Sequence, residues 1–188
     1  VKRLGALGFP NVYNAREDFY AVVEEGRVPE YDILLTNPPY SSDHFERIVE
    51  FAVSSGKPWL LLVPNFIYTK DFFRNKVLGS PRQRGCMYVV PKKRYTYWTP
   101  EWLHTTKFGV STSPFPTFWF VQCLEHTRTV KEWFAKKGAV AACTVTLAST
   151  VEELPNEVRA AFDPLKKRPN PKARKRMAQQ KRAGKPGA

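Results

Sequence analysis

The sequence predicts an α/β fold, a doubly wound sheet followed by a basic and extended C-terminal tail. Three observations lead there. Apolar runs of strand length alternate with segments whose apolar residues recur at helical spacing. The two best-defined runs, Tyr31–Thr36 and Trp59–Val63, each end abruptly in a proline- and asparagine-containing loop. The positive charge is concentrated at one end of the chain.

Residues 1–7 read as the end of a helix, broken by Gly8-Phe9-Pro10-Asn11 before a short strand over Val12–Ala15. A polar stretch leads to Tyr31–Thr36, a continuous apolar run with the signature of a fully buried parallel strand, which stops at Asn37-Pro38-Pro39-Tyr40. Ser41, Ser42 and Asp43 are N-cap candidates for a helix whose apolar positions are Phe45, Ile48, Val49 and Ala52, up to Gly56. Trp59–Val63 repeats the buried-strand signature and ends in Pro64-Asn65. Parallel strand-helix-strand order places the two loops side by side at the carboxyl ends of the strands, where open α/β sheets bind ligands.

Further along, Lys70–Val77 predicts a short helix, and Cys86–Pro91 and Thr117–Leu124 predict strands. The connection between those strands carries Tyr95, Tyr97, Trp98, Trp102 and Phe115. Thr129–Lys137 reads as helix, Ala139–Leu147 as strand, and Ser149–Phe162 as a helix with a Ser149/Glu152 capping-box pattern. The domain organisation expected is an α/β domain over 1–147, a C-terminal helix over 148–163 and a tail over 164–188.

The chain of 188 residues, 43% hydrophobic, suffices for one core. Its net charge is +13, and residues 164–188 hold ten basic residues and no acidic one, which leaves +3 for the rest. Lys166-Lys167-Arg168 and Lys172-Ala173-Arg174-Lys175-Arg176, spaced by prolines, form a polybasic arm that cannot bury a core. If about six of these charges meet phosphates, binding weakens about a thousandfold or more between about 50 and 200 mM salt. A nuclear import signal or a solubilising tail has the same composition. Lys92-Lys93-Arg94-Tyr95-Thr96-Tyr97-Trp98 interleaves cations with aromatics, as base stacking requires and as a half-buried strand edge also does.

Cys86, Cys123 and Cys143 have no paired spacing, and the expectation is buried free thiols in an intracellular, reducing compartment, with nucleus or organelle left open. His44, His104 and His126 lack metal-ligand spacing, so no metal is expected. No apolar stretch approaches the length of a membrane span, and no membrane partner is expected.

Asn37-Pro38-Pro39-Tyr40, directly after the strand that begins at Asp32, resembles the catalytic loop of class I S-adenosylmethionine-dependent amino-methyltransferases. These enzymes methylate an exocyclic amine of a nucleic-acid base or a glutamine amide. The resemblance covers roughly residues 9–125, with high specificity over 32–40. It implies the C-terminal part of a Rossmann-like methyltransferase sheet and S-adenosylmethionine as cofactor. A conjugated amine is a poor nucleophile because its lone pair is delocalised, so a site that favours a tetrahedral nitrogen accelerates attack. The resemblance gives that task to the Asn37 side-chain oxygen and the Pro38 carbonyl, on a loop stiffened by consecutive prolines. Tyr40 stacks on the target and faces the methyl-sulfonium, and Pro39 lies on the substrate side.

By the same resemblance Asp18 and Phe19 contact the cofactor adenine, with Asn37 beside it; an exposed acid in the polar run 16–18 is the alternative for Asp18. Asn65 and Tyr68 are candidates for the substrate mouth, with a capping role open for Asn65. No glycine-rich loop follows a first strand, and no acidic residue ends a second one. The cofactor-binding half is therefore expected upstream of Val1, or the protein is a remnant that has lost it. Three functions follow: methyl transfer to a base amine, most readily adenine, with RNA favoured over DNA; a non-catalytic RNA-binding or ribonucleoprotein assembly factor; and a protein glutamine methyltransferase, which the basic tail disfavours.

Overall fold

A computed structural model describes residues 2–40, 43–83, 85–99, 109–112, 115–137 and 144–160. The fold is mixed α/β. Its main sheet has five strands, β1 (Leu34–Thr36), β2 (Trp59–Pro64), β3 (Met87–Pro91), β6 (Thr117–Gln122) and β7 (Val145–Ala148), in the order β1-β2-β6-β3-β7. Strands β4 (Thr96–Thr99) and β5 (Gly109–Thr112) form a separate antiparallel pair. The helices are α1 (Lys2–Ala6), α2 (Phe19–Glu24), α3 (His44–Ser54), a short α4 (Asp71–Phe73) continued by a π turn over Arg74–Leu78, and α5 (Thr127–Lys137).

The sheet differs from a doubly wound one in direction. Only β1 and β2 pair in parallel, with Leu34 opposite Trp59 and Thr36 opposite Leu61. Strand β6 runs antiparallel to both β2 and β3, and β7 is antiparallel to β3. It follows that β1, β2 and β3 share one direction, with β6 wedged against it.

Both faces are covered because helices lie on both. On one face Trp59, Leu61, Tyr88, Phe118 and Phe120 pack in a single cluster with Phe45, Ile48, Val49 and Ala52 of α3 and with Phe73 and Val77. The opposite face packs Met87, Val121 and Cys123 with Leu60, Trp119, Leu147 and Val130 of α5. The apolar positions that predicted α3, Phe45, Ile48, Val49 and Ala52, and the alternate residues Trp59, Leu61 and Val63 of the run that predicted β2 belong to the first of these clusters.

Other expectations are corrected. Residues 12–15 form no strand, since they hydrogen-bond to no neighbouring strand among the described residues. β1 is three residues long and lies at the sheet edge, with Ile33 50% and Leu35 43% exposed, so it is not fully buried. The residues of 149–160 form turns rather than a helix. Pro155 lacks the amide a helix interior needs. The Ser149 amide is taken by Glu153 at 2.6 Å, one residue beyond the capping-box position. Ser41, Ser42, Trp102, His104, Cys143, Phe162 and the tail over 164–188 lie outside the described residues. Cys86 and Cys123 are buried free thiols, and burial pushes Cys86 up to about 12. Among the described residues no helix is long and apolar enough to cross a membrane.

A buried polar bridge closes the far end of β6. Gln122 is fully buried; its amide donates to the Gln83 carbonyl at 2.6 Å, and its oxygen accepts from the Leu124 amide at 3.0 Å. Leu124 adopts a φ of 50°, in the left-handed region that disfavours side chains, and this bond helps hold it there. Gln122→Leu leaves that carbonyl and amide without their partner. The expected loss is about 2–3 kcal/mol in urea denaturation, with an unchanged slope.

Candidate functional site

The strand directions decide what meets at the site. Because β1, β2 and β3 point the same way and β6 the opposite way, one sheet edge collects the residues after Thr36, Pro64 and Pro91 together with those before Thr117. The Asn37–Tyr40 loop, Asn65, the Lys92–Arg94 turn and Phe115 all stand on this edge. The β4–β5 pair belongs to the connection from β3 to β6, both ends of which lie here.

Within the loop Pro38 is buried, while Asn37 and Pro39 are exposed. Tyr40 is tied down at one end only. Its ring lies 5.6 Å from that of Phe45, its hydroxyl donates to the Leu62 carbonyl at 3.3 Å, and 39% of the residue remains exposed. Burial of the hydroxyl end, with a smaller contribution from the Tyr97 phenol, holds the Tyr40 phenol well above its ordinary value. Tyr97 in turn shares a 2.7 Å hydrogen bond with the Thr117 hydroxyl. Thus the β4–β5 pair is fastened to the start of β6 through Tyr97. Beyond Phe45 the aromatic wall continues to Phe66 (6.4 Å) and Phe115 (4.9 Å from Phe66), and the Lys70 ammonium sits 5.5 Å from the Phe66 ring centre. Lys92, Lys93 and Arg94 are exposed at the end of β3.

The remaining candidates have visible structural partners. Asp18 is the N-cap of α2; one carboxylate oxygen accepts from the amides of Tyr20 at 2.9 Å and Ala21 at 3.1 Å. Phe19 turns inward, edge-on to Phe51 at 5.0 Å. Tyr20 fastens α2 to the start of α3: its hydroxyl donates to the His44 carbonyl at 3.0 Å and the Arg47 guanidinium lies 3.8 Å from its ring centre. Asn65 is buried, with its side-chain amide donating to the Val158 carbonyl at 2.9 Å. The Tyr68 hydroxyl accepts from the Ala160 amide at 2.5 Å and donates to the Ala160 carbonyl at 3.2 Å. Asn65 and Tyr68 therefore hold main chain 92 to 93 residues away.

Sequence reasoning singled out the loop but not Phe45 beside it and Phe66 beyond, nor the bond between Tyr97 and Thr117. The aromatic density of 95–98 was the available signal, and nothing local to it names the partner. Among the described residues no group of three or more His, Cys, Asp or Glu side chains is arranged to hold a metal ion. The polybasic residues Lys166, Lys167, Arg168, Lys172, Arg174, Lys175 and Arg176 lie outside the described residues. The chain matches no protein-family model, no curated protein and no solved structure.

Proposed function

We propose that this protein takes part in S-adenosylmethionine-dependent methyl transfer to an exocyclic amine of a nucleic-acid base, adenine in RNA before DNA. The observation that carries the reading is the position of Asn37-Pro38-Pro39-Tyr40 at the carboxyl end of β1, parallel to β2, with Asn37 exposed and the ring of Tyr40 against Phe45. The β1-α3-β2 unit supports the finer fold proposal, the C-terminal part of a Rossmann-like methyltransferase sheet.

Asn37 and the loop carbonyl of Pro38 accept the two amine hydrogens and turn the nitrogen lone pair outward. Tyr40 offers one ring face to the target base, since Phe45 backs the ring and over a third of the residue is exposed. Lys92, Lys93, Arg94 and the polybasic arm supply phosphate contacts. The cofactor supplies an electrophilic methyl on a sulfonium. Of the residues expected around it, Asn37 fits, whereas Asp18 caps α2 and Phe19 packs inward, so these two are better assigned to the scaffold.

That assignment favours a second reading, a non-catalytic RNA-binding factor that uses the same edge. Isotope-labelled S-adenosylmethionine, offered to the full-length protein with single-stranded RNA, single-stranded DNA and protein substrates, separates the possibilities. Label in N6-methyladenosine after nucleoside digestion is the expected result. Label in protein glutamine overturns the base reading, and RNA binding with no label in any substrate favours the non-catalytic one. Tyr40→Phe is expected to change turnover less than threefold, because the ring is retained and only a long hydrogen bond is lost. Tyr40→Ala removes the stacking surface, worth about 1–3 kcal/mol per base, and is expected to raise KM and to slow turnover about tenfold or more.

A further inference from the structure

Tyr40 shares its sheet edge with a second exposed ring. Phe115, which precedes β6, is 46% exposed. Phe66 meets it edge-on at 4.9 Å and meets buried Phe45 edge-on at 6.4 Å, and Phe45 in turn backs Tyr40 at 5.6 Å. Tyr40 and Phe115 thus stand at the two ends of a row of rings whose inner members, Phe45 and Phe66, belong to the core or pack against it. Main chain fixes the outer pair. Phe66 lies in the 3₁₀ turn Asn65–Thr69 directly after β2, and Ile67 and Tyr68 of the same turn are buried. The Asn65 amide donates to the Pro116 carbonyl at 2.8 Å, and Pro64 lies opposite Thr117 in the ladder. Phe66 and Phe115 are each one residue from that bond, so the end of the β2–β6 ladder sets their contact.

A cation stands over the inner part of the row. The exposed Lys70 places its ammonium 5.5 Å from the Phe66 ring centre, and among the described residues it has no ion-pair partner. A ring left nearly half exposed beside such an ammonium matches the two parts of a nucleotide in a single strand, a base with a π face and a phosphate. Two packed rings separate Tyr40 from Phe115, so bases lying on them are not consecutive members of one stack. Delivery of a target amine to Asn37 likewise requires its base to be swung away from its neighbours.

We propose that Phe115 and Lys70 form a second nucleotide subsite: in a single-stranded RNA whose target base lies on Tyr40, a flanking base stacks on Phe115 and Lys70 meets the phosphate backbone between the two. The proposal rests on the nucleic-acid reading of the site. It adds that the strand is gripped at two separate bases, which makes an oligonucleotide a good ligand and a single nucleoside a poor one.

The experiment is a cycle between protein and ligand. The intact protein, F115A, F115L, K70Q, Y40A and F115A/Y40A are each tested with two probes by filter binding across a salt series, without cofactor. One probe is a single-stranded oligoadenylate RNA of about eight nucleotides, and the other is an oligomer of the same length built of abasic residues. F115A is expected to weaken oligoadenylate binding about tenfold and abasic binding less than about twofold, because only the first has a base to stack. F115L keeps apolar volume against Phe66 without the π face, and it is expected to show the same selective loss by at least about threefold. In the Y40A background F115A is expected to cost its full factor again, since the two rings hold different bases. K70Q is expected to flatten the slope of log affinity against log salt by about 0.7 with either probe. Unchanged thermal melts verify the fold.

Equal losses with both probes, or a Phe115 effect that vanishes in the Y40A background, overturn the base subsite and leave Phe115 as a support of the sheet edge. A salt slope indifferent to K70Q overturns the phosphate contact. An intact protein that binds neither probe strikes the nucleic-acid reading and the subsite with it. Oligoadenylate binding that ignores both Phe115 and Lys70 strikes the subsite alone.

Discussion

Asn37→Ala is expected to lower methyl transfer by at least about 10²–10³-fold while leaving cofactor affinity and stability nearly unchanged. The size follows from the role. An acceptor fixed where a proton-bearing nitrogen becomes tetrahedral acts in the transition state, and removing one such preorganised partner costs about 3–4 kcal/mol. The selectivity follows from the position. Asn37 is exposed immediately beyond Thr36, in a loop whose buried anchor is Pro38, so its truncation opens no cavity and strands no buried partner. The stability change is expected within about 0.5 kcal/mol by thermal denaturation. Single-turnover methylation with saturating cofactor measures the chemical step, and equilibrium cofactor binding measures the rest. A variant that keeps a tenth of the wild-type rate would sink the proposed role of this side chain. An equal loss of cofactor affinity would move Asn37 from target orientation to cofactor binding.

How much of this was legible in the sequence differs from element to element. The helical spacing of Phe45, Ile48, Val49 and Ala52 and the run Trp59–Val63 gave α3 and β2 nearly as they stand, because burial alone sets both patterns. Strand direction was not legible. β6 is apolar on both faces, as a central parallel strand is, yet it is antiparallel; two-sided burial comes from α3 on one face and α5 on the other. The apolar run of β6 goes with cover on both faces, and contains no statement of which way the chain passes. Nor does an apolar run state where its strand falls in the sheet order: Ile33 and Leu35 read as interior and sit exposed at an edge.

The candidate site was legible where chemistry is local and illegible where it depends on return of the chain. Asn37-Pro38-Pro39-Tyr40 carries its signal in four consecutive residues. Tyr97 reaches Thr117 only because β3 ends at the edge where β6 begins, a consequence of the strand order that no spacing encodes. Asn65 and Tyr68 had a plausible place at a substrate mouth by loop position alone. Their polar atoms instead bind backbone at 158 and 160, in a segment whose capping pattern had promised a helix. Pro155 and the Glu153 side chain redirect that segment into turns, and the turns bring it to the sheet edge.

Truncation after Asp163 is expected to leave the fold intact and to remove most of the electrostatic attraction for RNA. The fold is expected to survive because the last residues with visible packing, Leu154, Val158 and Ala160, and the bonds from Asn65 and Tyr68 all precede the cut. The loss of attraction follows from charge: residues 164–188 carry ten of the thirty basic residues and no acid, leaving +3 on the remainder. If about six of those cations meet phosphates of a single strand, the slope of log affinity against log salt becomes shallower by about 4, at roughly 0.7 per phosphate. Any preference among base sequences is expected to survive in the truncated protein, since phosphate contacts position the strand and do not read it. Filter binding of the intact and truncated proteins to the same RNA across a salt series makes the comparison. Parallel slopes would show that the arm is not the electrostatic partner of RNA. The polybasic run would then be better read as an import signal, and the exposed cations at 92–94 would have to account for whatever RNA binding remained.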